Sequence, residues 1–254
     1  MPVSAGLHYS FSHNPDKKRS SPVILIHGAG QNHLSWPPDI RRIPDEQILA
    51  VDLPGHGRSK GLGRNSIPAY AESLVAFLDE LEIEKAVVVG HSMGGGIALQ
   101  FTLDYPDRVS GLGLVASGAR LPVSKSLMEG LSLPATRSQA HKLIIEWSYG
   151  PLSGDEIKQL AARNLVETRP AVLSGDLDAC DSFNVDDRLA EIRVPTLVIC
   201  GSEDKMTPLH FSTKLSTNIP GAAMQIIESA GHMVMVEQPA RVAGILSVFF
   251  RSLR

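Results

Sequence analysis

The stretch that decides the fold is Val87-Val88-Val89-Gly90-His91-Ser92-Met93-Gly94-Gly95-Gly96-Ile97-Ala98-Leu99. A short apolar run typical of a buried strand passes through Ser92 into a pattern typical of a helix. Ser92 is the centre of a G-x-S-x-G motif, which occurs at sharp strand-to-helix turns that have no room for side chains at Gly90 and Gly94. Such a turn leaves the serine hydroxyl at the positive end of the helix. We therefore predict that Ser92 is a nucleophile.

Two other interpretations of this turn are a phosphate-binding loop and a tight turn with an incidental serine. The turn has neither G-x-G-x-x-G spacing nor a Lys-Ser/Thr pair after its glycines, which disfavours the phosphate site. Five-residue motifs are common by chance, so the choice depends on companion residues elsewhere in the chain.

Length and composition predict one soluble domain. The chain has 254 residues, 43% of them hydrophobic, and a formal net charge of -3. We expect no nucleic-acid or membrane partner, because the charge is balanced, the cluster Lys17-Lys18-Arg19 is typical of a solvated loop, and no apolar run approaches the ~18 residues of a membrane span. An amino-terminal apolar signal is not seen either. Cys180 and Cys200 are far apart and predict no disulfide, which suits a cytoplasmic location.

Short apolar runs alternate with helical patterns, which predicts a mostly parallel central sheet flanked by helices. We assign residues 1–118 and 187–254 to this core. Residues 119–186 contain helical patterns but no convincing strand, and we interpret them as a helical lid inserted after the sixth strand, over the carboxyl ends of the strands. The predicted strands are Gly6 to Ser12, Pro22 to Ile26, Gln47 to Val51, Ala86 to Val89, Val109 to Val115, Thr196 to Cys200 and Met224 to Ile227, the first of them an outer strand.

A serine nucleophile needs a base and an acid that orients it, and after this type of turn the acid precedes the histidine. His232 follows the apolar run Met224 to Ile227 in a loop, whereas His210 begins a helix and is interpreted as a surface or packing residue. Asp204 follows another strand in a G-x-x-D pattern, and its neighbour Glu203 is the competing carboxylate. We predict that His232 is the base and Asp204 the orienting acid.

An acyl-transfer site also needs backbone N–H groups that bind the developing oxyanion, and removing one such donor costs roughly 3 to 4 kcal/mol in comparable sites. Met93, directly after the nucleophile, supplies one predicted donor. Ala29, in the loop His27-Gly28-Ala29-Gly30 after a strand, supplies the other. His27 is expected to hold this loop by hydrogen bonding.

Six ordered motifs make the chain resemble the α/β-hydrolase superfamily, in the branch of lid-bearing serine esterases, haloperoxidase-like enzymes and carbon–carbon hydrolases. The resemblance implies that Asp52, His56 and Arg58 form a structural turn. Carbon–carbon hydrolases similar to this chain often have tryptophan where Met233 follows His232, which disfavours that activity. The motifs are His27-Gly28-Ala29-Gly30, Asp52 to Ser59, Gly90 to Gly94, Val194 to Leu197, Gly201 to Asp204 and Gly231-His232.

The expected function is therefore a serine carboxylesterase that acts on small-molecule esters without a cofactor or metal. A thioesterase, a monoacylglycerol lipase, a perhydrolase and a carbon–carbon hydrolase are alternatives, and a ligand receptor or lyase that keeps the fold is another. The lid residues are apolar and predict a medium-sized apolar acyl or aryl group. The predicted substrate-binding residues are Leu127, Met128, Leu131, Trp147 and Met233.

Overall fold

An eight-stranded sheet forms the centre of the molecule. The computed structural model describes residues 2–12 and 21–254, so the cluster at 17–19 lies outside the described residues. The strand order is β1-β2-β4-β3-β5-β6-β7-β8; β1 and β2 form an antiparallel hairpin, β2 is antiparallel to β4, and all other pairs are parallel. The strands are β1 (Val3–Ser4), β2 (Leu7–Ser12), β3 (Val23–Ile26), β4 (Ile48–Val51), β5 (Ala86–His91), β6 (Val109–Val115), β7 (Thr196–Gly201) and β8 (Ala223–Ile227).

Helices cover both faces of this sheet. Along β5, Val88 packs into the core beneath α2 and α3, whereas Val87 and Val89 pack into the core beneath α1 and α10. This two-sided burial explains the continuous apolar run. The helices are α1 (Pro38–Arg41), α2 (Ile67–Glu80), α3 (Met93–Asp104), α4 (Lys125–Ser132), α5 (Pro134–Ser148), α6 (Asp155–Glu167), α7 (Pro170–Asp181), α8 (Leu209–Asn218), α9 (Val234–Glu237) and α10 (Pro239–Ser252).

The edge strand β8 is more exposed than the central strands of the sheet. Ala223, Gln225 and Ile226 are exposed, and only Ile227 at its carboxyl end is fully buried. The reason is its position, since β8 pairs with β7 on one side only. The outer strand predicted over Gly6 to Ser12 is β2, and the two-residue strand β1 lies outside it.

Four helices, α4 to α7, lie between β6 and β7, where the sequence predicts them. We call residues 119–186 the insertion. Its two ends meet, because the Val185 N–H donates to the Ala119 carbonyl at 2.8 Å. Within the insertion, α5 begins at Pro134 and α7 ends at Asp181.

The strand order places a crevice beside β3. The chain passes from β3 to β4 on one side and returns to β5 on the other, and ligands bind at such switch points, beyond the carboxyl ends of the strands. The segment 27–30 after β3 and Ser92 after β5 both lie at this end. No helix of the described residues is long and apolar enough to cross a membrane. Cys180 and Cys200 are free, buried thiols.

Candidate active site

Ser92 forms the bend between β5 and α3. Its φ of 54° and ψ of -119° lie in a region that side-chain-bearing residues rarely occupy, and such strain persists only when neighbouring contacts enforce it. Its N–H donates to the Val115 carbonyl at 3.0 Å, and its carbonyl accepts the Ser117 hydroxyl at 2.8 Å. Strand β6 and the residues after it therefore hold the strained turn in place.

The flanking glycines are required by the backbone around Ser92. A Cβ at Gly90 would collide with the carbonyl oxygen of Gly94, and a Cβ at Gly94 would collide with that of Ile26 at the end of β3. The first turn of α3 therefore packs directly on the main chain of the neighbouring strands. This contact is the physical reason for the G-x-S-x-G spacing.

His232 and Asp204 form a buried pair. The His232 Nδ1–H donates to Asp204 Oδ2 at 2.9 Å and lies 3.2 Å from Oδ1. The carboxylate also accepts the Met206 N–H, the Thr207 N–H and the Thr207 hydroxyl, each at 2.8 Å. The Thr207 oxygen in addition lies 3.3 Å from His232 Nδ1. These contacts hold the imidazole with Nδ1 toward the acid and leave Nε2 available for proton transfer.

The charge on Asp204 is stabilised in this environment. Burial by itself would raise the pKa of Asp204, but the His232 ring and the hydrogen bonds from His232 and Thr207 outweigh it, so the pKa lies below its ordinary value. Asp204 is therefore ionised at neutral pH.

His91 joins the segments that carry Ser92 and His232. Its Nε2–H donates to the His232 carbonyl at 3.0 Å, and the two rings lie 4.8 Å apart. Burial lowers the pKa of His91 to about 3, so the ring is neutral. In the described part of the chain the Ser92 hydroxyl makes no hydrogen bond to His232, a contact that is often long in unliganded enzymes and shortens when substrate binds.

The loop after β3 lies against Ser92. A Cβ at Gly28 would stand 3.2 Å from Ser92 Cβ, and Ala29 lines the same cavity as Ser92. Within the described residues, no group accepts a hydrogen bond from the N–H of Ala29 or of Met93. As expected, His27 holds the loop: its Nδ1–H donates to the Gly28 carbonyl at 2.8 Å, and its Nε2 accepts the Leu53 N–H at 3.0 Å.

A cavity of about 190 Å³ opens above Ser92. Leu127 and Trp147 of the insertion line it, and Lys205 is the charged residue among the described residues of its lining. The other lining residues are Ala29, Leu121, Pro122, Val123, Ser124, Leu177, Cys180, Met206 and Thr207.

A second cavity, of about 170 Å³, lies on the other side of Ala29 between the loop and helices α5 and α6. Met233 lines this cavity, as do Ile144 and Tyr149. Two predicted pocket residues lie elsewhere. Leu131 is one helical turn beyond Leu127 and packs into the insertion's own core, and the half-buried Met128 lines neither cavity.

The remaining candidates lie outside the pair of cavities. His210 is exposed and stacks on Phe211 at 4.3 Å, and Glu203 is exposed beside Asp204. Among the described residues one group could hold a metal by proximity, namely His8, His33 and Asp52, whose ligand atoms lie within 4.8 Å of one another. Both histidines instead hydrogen-bond Asp52 through Nδ1 at 2.8 Å, so the group is already satisfied as a buried turn.

Two polar residues at the site were missed by the sequence interpretation. Thr207 follows Asp204 by three residues, a spacing at which Asp and Thr often bond to local backbone groups, so a signal was present. Asp176 of α7 is fully buried and accepts the Gly30 N–H at 2.8 Å. It lies 146 residues from that partner, and no local pattern indicates the contact.

The chain belongs to the alpha/beta hydrolase family, whose model matches residues 23–245. The fold and the resemblance that the six motifs indicate are thereby confirmed. A thermophilic esterase of known structure is 31% identical, superimposes with a TM-score of 0.83, and aligns over 97% of this chain and 98% of its own. An N-acyl homoserine lactone degrading enzyme is 28% identical, also with a TM-score of 0.83, over 96% of each chain.

Curated relatives have several activities. A 2-hydroxy-6-oxononadienedioate/2-hydroxy-6-oxononatrienedioate hydrolase from Comamonas testosteroni is 30% identical over 89% of this chain and 86% of its own length. A pimeloyl-(acyl-carrier protein) methyl ester esterase from Neisseria meningitidis serogroup C is 28% identical over 89% and 92%. These relatives thus include an esterase and a hydrolase that is not named as an esterase, and the family to which the chain belongs is one of hydrolases.

Proposed function

We propose that the protein is a serine hydrolase that cleaves carboxylic esters through an acyl-enzyme intermediate. The observation that carries the proposal is the buried Asp204–His232 pair together with Ser92, whose backbone is strained and whose side chain lines a cavity. The two free amides of Ala29 and Met93 next to Ser92 support it, because ester cleavage needs donors for a developing oxyanion.

In the acylation step, the Ser92 hydroxyl oxygen attacks the ester carbonyl carbon while His232 Nε2 takes the hydroxyl proton. The carbonyl oxygen becomes an oxyanion that accepts hydrogen bonds from the Ala29 and Met93 amides. When this intermediate collapses, the bond to the alcohol breaks and His232 gives its proton to the leaving oxygen. Asp204 stabilises the imidazolium that exists between these two transfers.

In the deacylation step, water attacks the acyl carbon and His232 Nε2 takes its proton. The second tetrahedral intermediate expels Ser92, which recovers its proton from His232, and the carboxylic acid leaves. The sum is hydrolysis, and Ser92, His232 and Asp204 return to their starting states.

The cavities favour small to medium apolar substrates. The cavity at Ser92 and the one behind Ala29 measure about 190 and 170 Å³, and apolar side chains of the insertion line both. We expect one side of the ester to occupy the first cavity, and turnover of p-nitrophenyl esters to peak at short or medium acyl chains.

The test combines labelling with turnover. A fluorophosphonate should label the wild-type protein stoichiometrically, and Ser92→Ala should abolish labelling and lower p-nitrophenyl butyrate turnover by about 10³-fold or more. His232→Ala should behave similarly, whereas the matched control His210→Ala should keep wild-type rates. Absence of labelling in folded wild-type protein, or its survival in Ser92→Ala, contradicts the proposal.

Carbon–carbon bond hydrolysis is the second candidate, favoured by the 30% identical relative from Comamonas testosteroni. Met233 beside His232, in the position where similar enzymes often have tryptophan, favours the ester instead. A vinylogous diketone and a thioester assayed beside the p-nitrophenyl esters would rank the three reactions. A kcat/KM higher for the diketone than for every ester would replace the first candidate by the second.

A further inference from the structure

Asp176 is a buried carboxylate that the insertion extends into the core. It is 0% exposed, and both of its oxygens accept hydrogen bonds. Oδ2 accepts the Gly30 N–H at 2.8 Å and His56 Nε2–H at 2.7 Å, and Oδ1 accepts the Tyr70 hydroxyl at 2.5 Å. Burial, together with the Asp176 charge, raises the pKa of Tyr70, so its hydroxyl stays protonated and donates.

The contact with Gly30 is one of two that the insertion makes to this residue. The Thr168 hydroxyl donates to the Gly30 carbonyl at 2.8 Å, so residues of the insertion hold both the N–H and the C=O of Gly30. Gly30 adopts a φ of +65°, and a Cβ there would lie 2.9 Å from Leu173 of α7. Gly30 is therefore seated against the insertion.

Ala29 lies between two differently anchored halves of its loop. His27 and Leu53 of the core fix the half that contains Gly28, as described above. Asp176 and Thr168 fix the half that contains Gly30. The peptide planes on both sides of Ala29, and hence the direction of its N–H, are set jointly by the core and the insertion.

Packing alone does not account for a carboxylate at this position. Burying a charge is expensive, and an apolar side chain in its place is often as stable or more stable. An apolar residue could not accept the hydrogen bonds that Asp176 accepts from Gly30, His56 and Tyr70.

We propose that Asp176 is a positioning residue that aims the Ala29 amide at the oxyanion formed on Ser92. The inference rests on the proposed function. Positional errors of about 1 Å in such sites can cost roughly 100-fold in rate. Removing the hydrogen bond between Gly30 and Asp176 should therefore lower kcat more than it changes KM. The reason is that the oxyanion is present in the transition state and not in the bound ester.

The test compares Asp176→Ala with Tyr70→Phe in the 254-residue chain. Asp176→Ala removes the hydrogen bonds to Gly30, His56 and Tyr70, whereas Tyr70→Phe removes the one between Tyr70 and Asp176 and leaves Gly30 held. With p-nitrophenyl butyrate, we expect Asp176→Ala to lower kcat by about 10- to 100-fold with KM within about threefold, and Tyr70→Phe to stay within about threefold of wild type. Affinity for phenylboronic acid, which forms a tetrahedral adduct at a catalytic serine, should fall with kcat in Asp176→Ala only.

Two conservative variants keep the test decisive if Asp176→Ala does not fold. Asp176→Asn can still accept the Gly30 N–H, with its NH₂ facing Tyr70, and should recover most of the rate. Thr168→Val removes the hydrogen bond to the Gly30 carbonyl at a half-buried position and should lower kcat severalfold. The inference would be overturned if Asp176→Ala and Tyr70→Phe lost kcat and boronic acid affinity equally. It would also be overturned if Thr168→Val kept the wild-type rate and Asp176→Asn recovered none of it. Failure of the proposed function would show separately, as wild-type protein that neither hydrolyses esters nor is labelled at Ser92.

Discussion

The carboxylate of Asp204 accepts hydrogen bonds from His232, from the Thr207 hydroxyl and from two backbone amides. Asparagine in its place keeps the shape but can present an NH₂ group to His232 Nδ1, which favours the tautomer with its proton on Nε2. A histidine protonated on Nε2 cannot take the Ser92 proton. We expect Asp204→Asn to lower kcat by about 10³- to 10⁴-fold while circular dichroism stays unchanged.

The neighbouring carboxylate is a matched control for this prediction. Glu203 is exposed and its side chain contacts Ser202, so Glu203→Gln should keep the wild-type kcat. If instead Glu203→Gln lost activity and Asp204→Asn kept it, the orienting role would move to Glu203.

Among single residues, the sequence predicts those that are marked by a motif or a strand close to them along the chain. Ser92 is identified by glycines two residues away, and Asp204 and His232 by the strands that they follow. Asp176 is different, because its partners Gly30, His56 and Tyr70 lie 106 to 146 residues away along the chain. Such a contact depends on how the insertion docks, which no periodicity in α7 determines.

At the scale of elements, the packing of α3 against β5 and β3 depends on the absence of side chains at Gly90 and Gly94. A methyl group at Gly90 would meet the Gly94 carbonyl, and a backbone atom cannot move aside as a flexible side chain can. We expect Gly90→Ala to lower the free energy of unfolding by about 3 kcal/mol or more, measured by urea denaturation.

Gly244 supplies the control for this substitution. It lies on the exposed side of α10, and a Cβ there would meet no atom within 4 Å. Gly244→Ala should therefore be neutral or stabilise by up to about 1 kcal/mol, because alanine favours the helix. Similar stabilities for the two variants would contradict the steric account of the turn.

The middle of the insertion, where α5 ends, is hydrogen-bonded to the core segment that contains His232. At the last residue of α5, the Ser148 carbonyl accepts the Met233 N–H at 2.9 Å, next to His232. Glu237 accepts the N–H groups of Gly150 and Gly231, each at 2.8 Å. The sequence predicts the four helices of this segment from their apolar patterns and prolines, but not these contacts, because each joins groups that only tertiary packing brings together.

For the whole molecule, two buried neutral histidines make stability depend on pH. Burial lowers the pKa of His27 and of His91 from 6.5 to about 3. Between these values the unfolded chain binds more protons than the folded one, so the free energy of unfolding falls as the pH drops from 6.5 toward 3. Each histidine contributes up to about 1.4 kcal/mol per pH unit.

Urea denaturation at about pH 6.5 and about pH 5.5 measures this slope. His27→Gln removes one of the two groups and should flatten the slope, whatever it does to the stability itself. His210→Gln changes an exposed ring and should leave the slope as in the wild type. A slope that is the same in His27→Gln and in the wild type would rule out His27 as its source.

The meeting of Ala119 and Val185 at the base of the insertion has a consequence for how such enzymes diversify. A segment that leaves and re-enters the scaffold at one point can be exchanged for a longer or shorter cassette without moving any strand. The carboxylate of Asp176 limits that freedom. A replacement insertion would bring new substrate preferences. The enzyme that receives it would keep its catalytic efficiency only if the new segment supplied a hydrogen-bond acceptor for the Gly30 N–H.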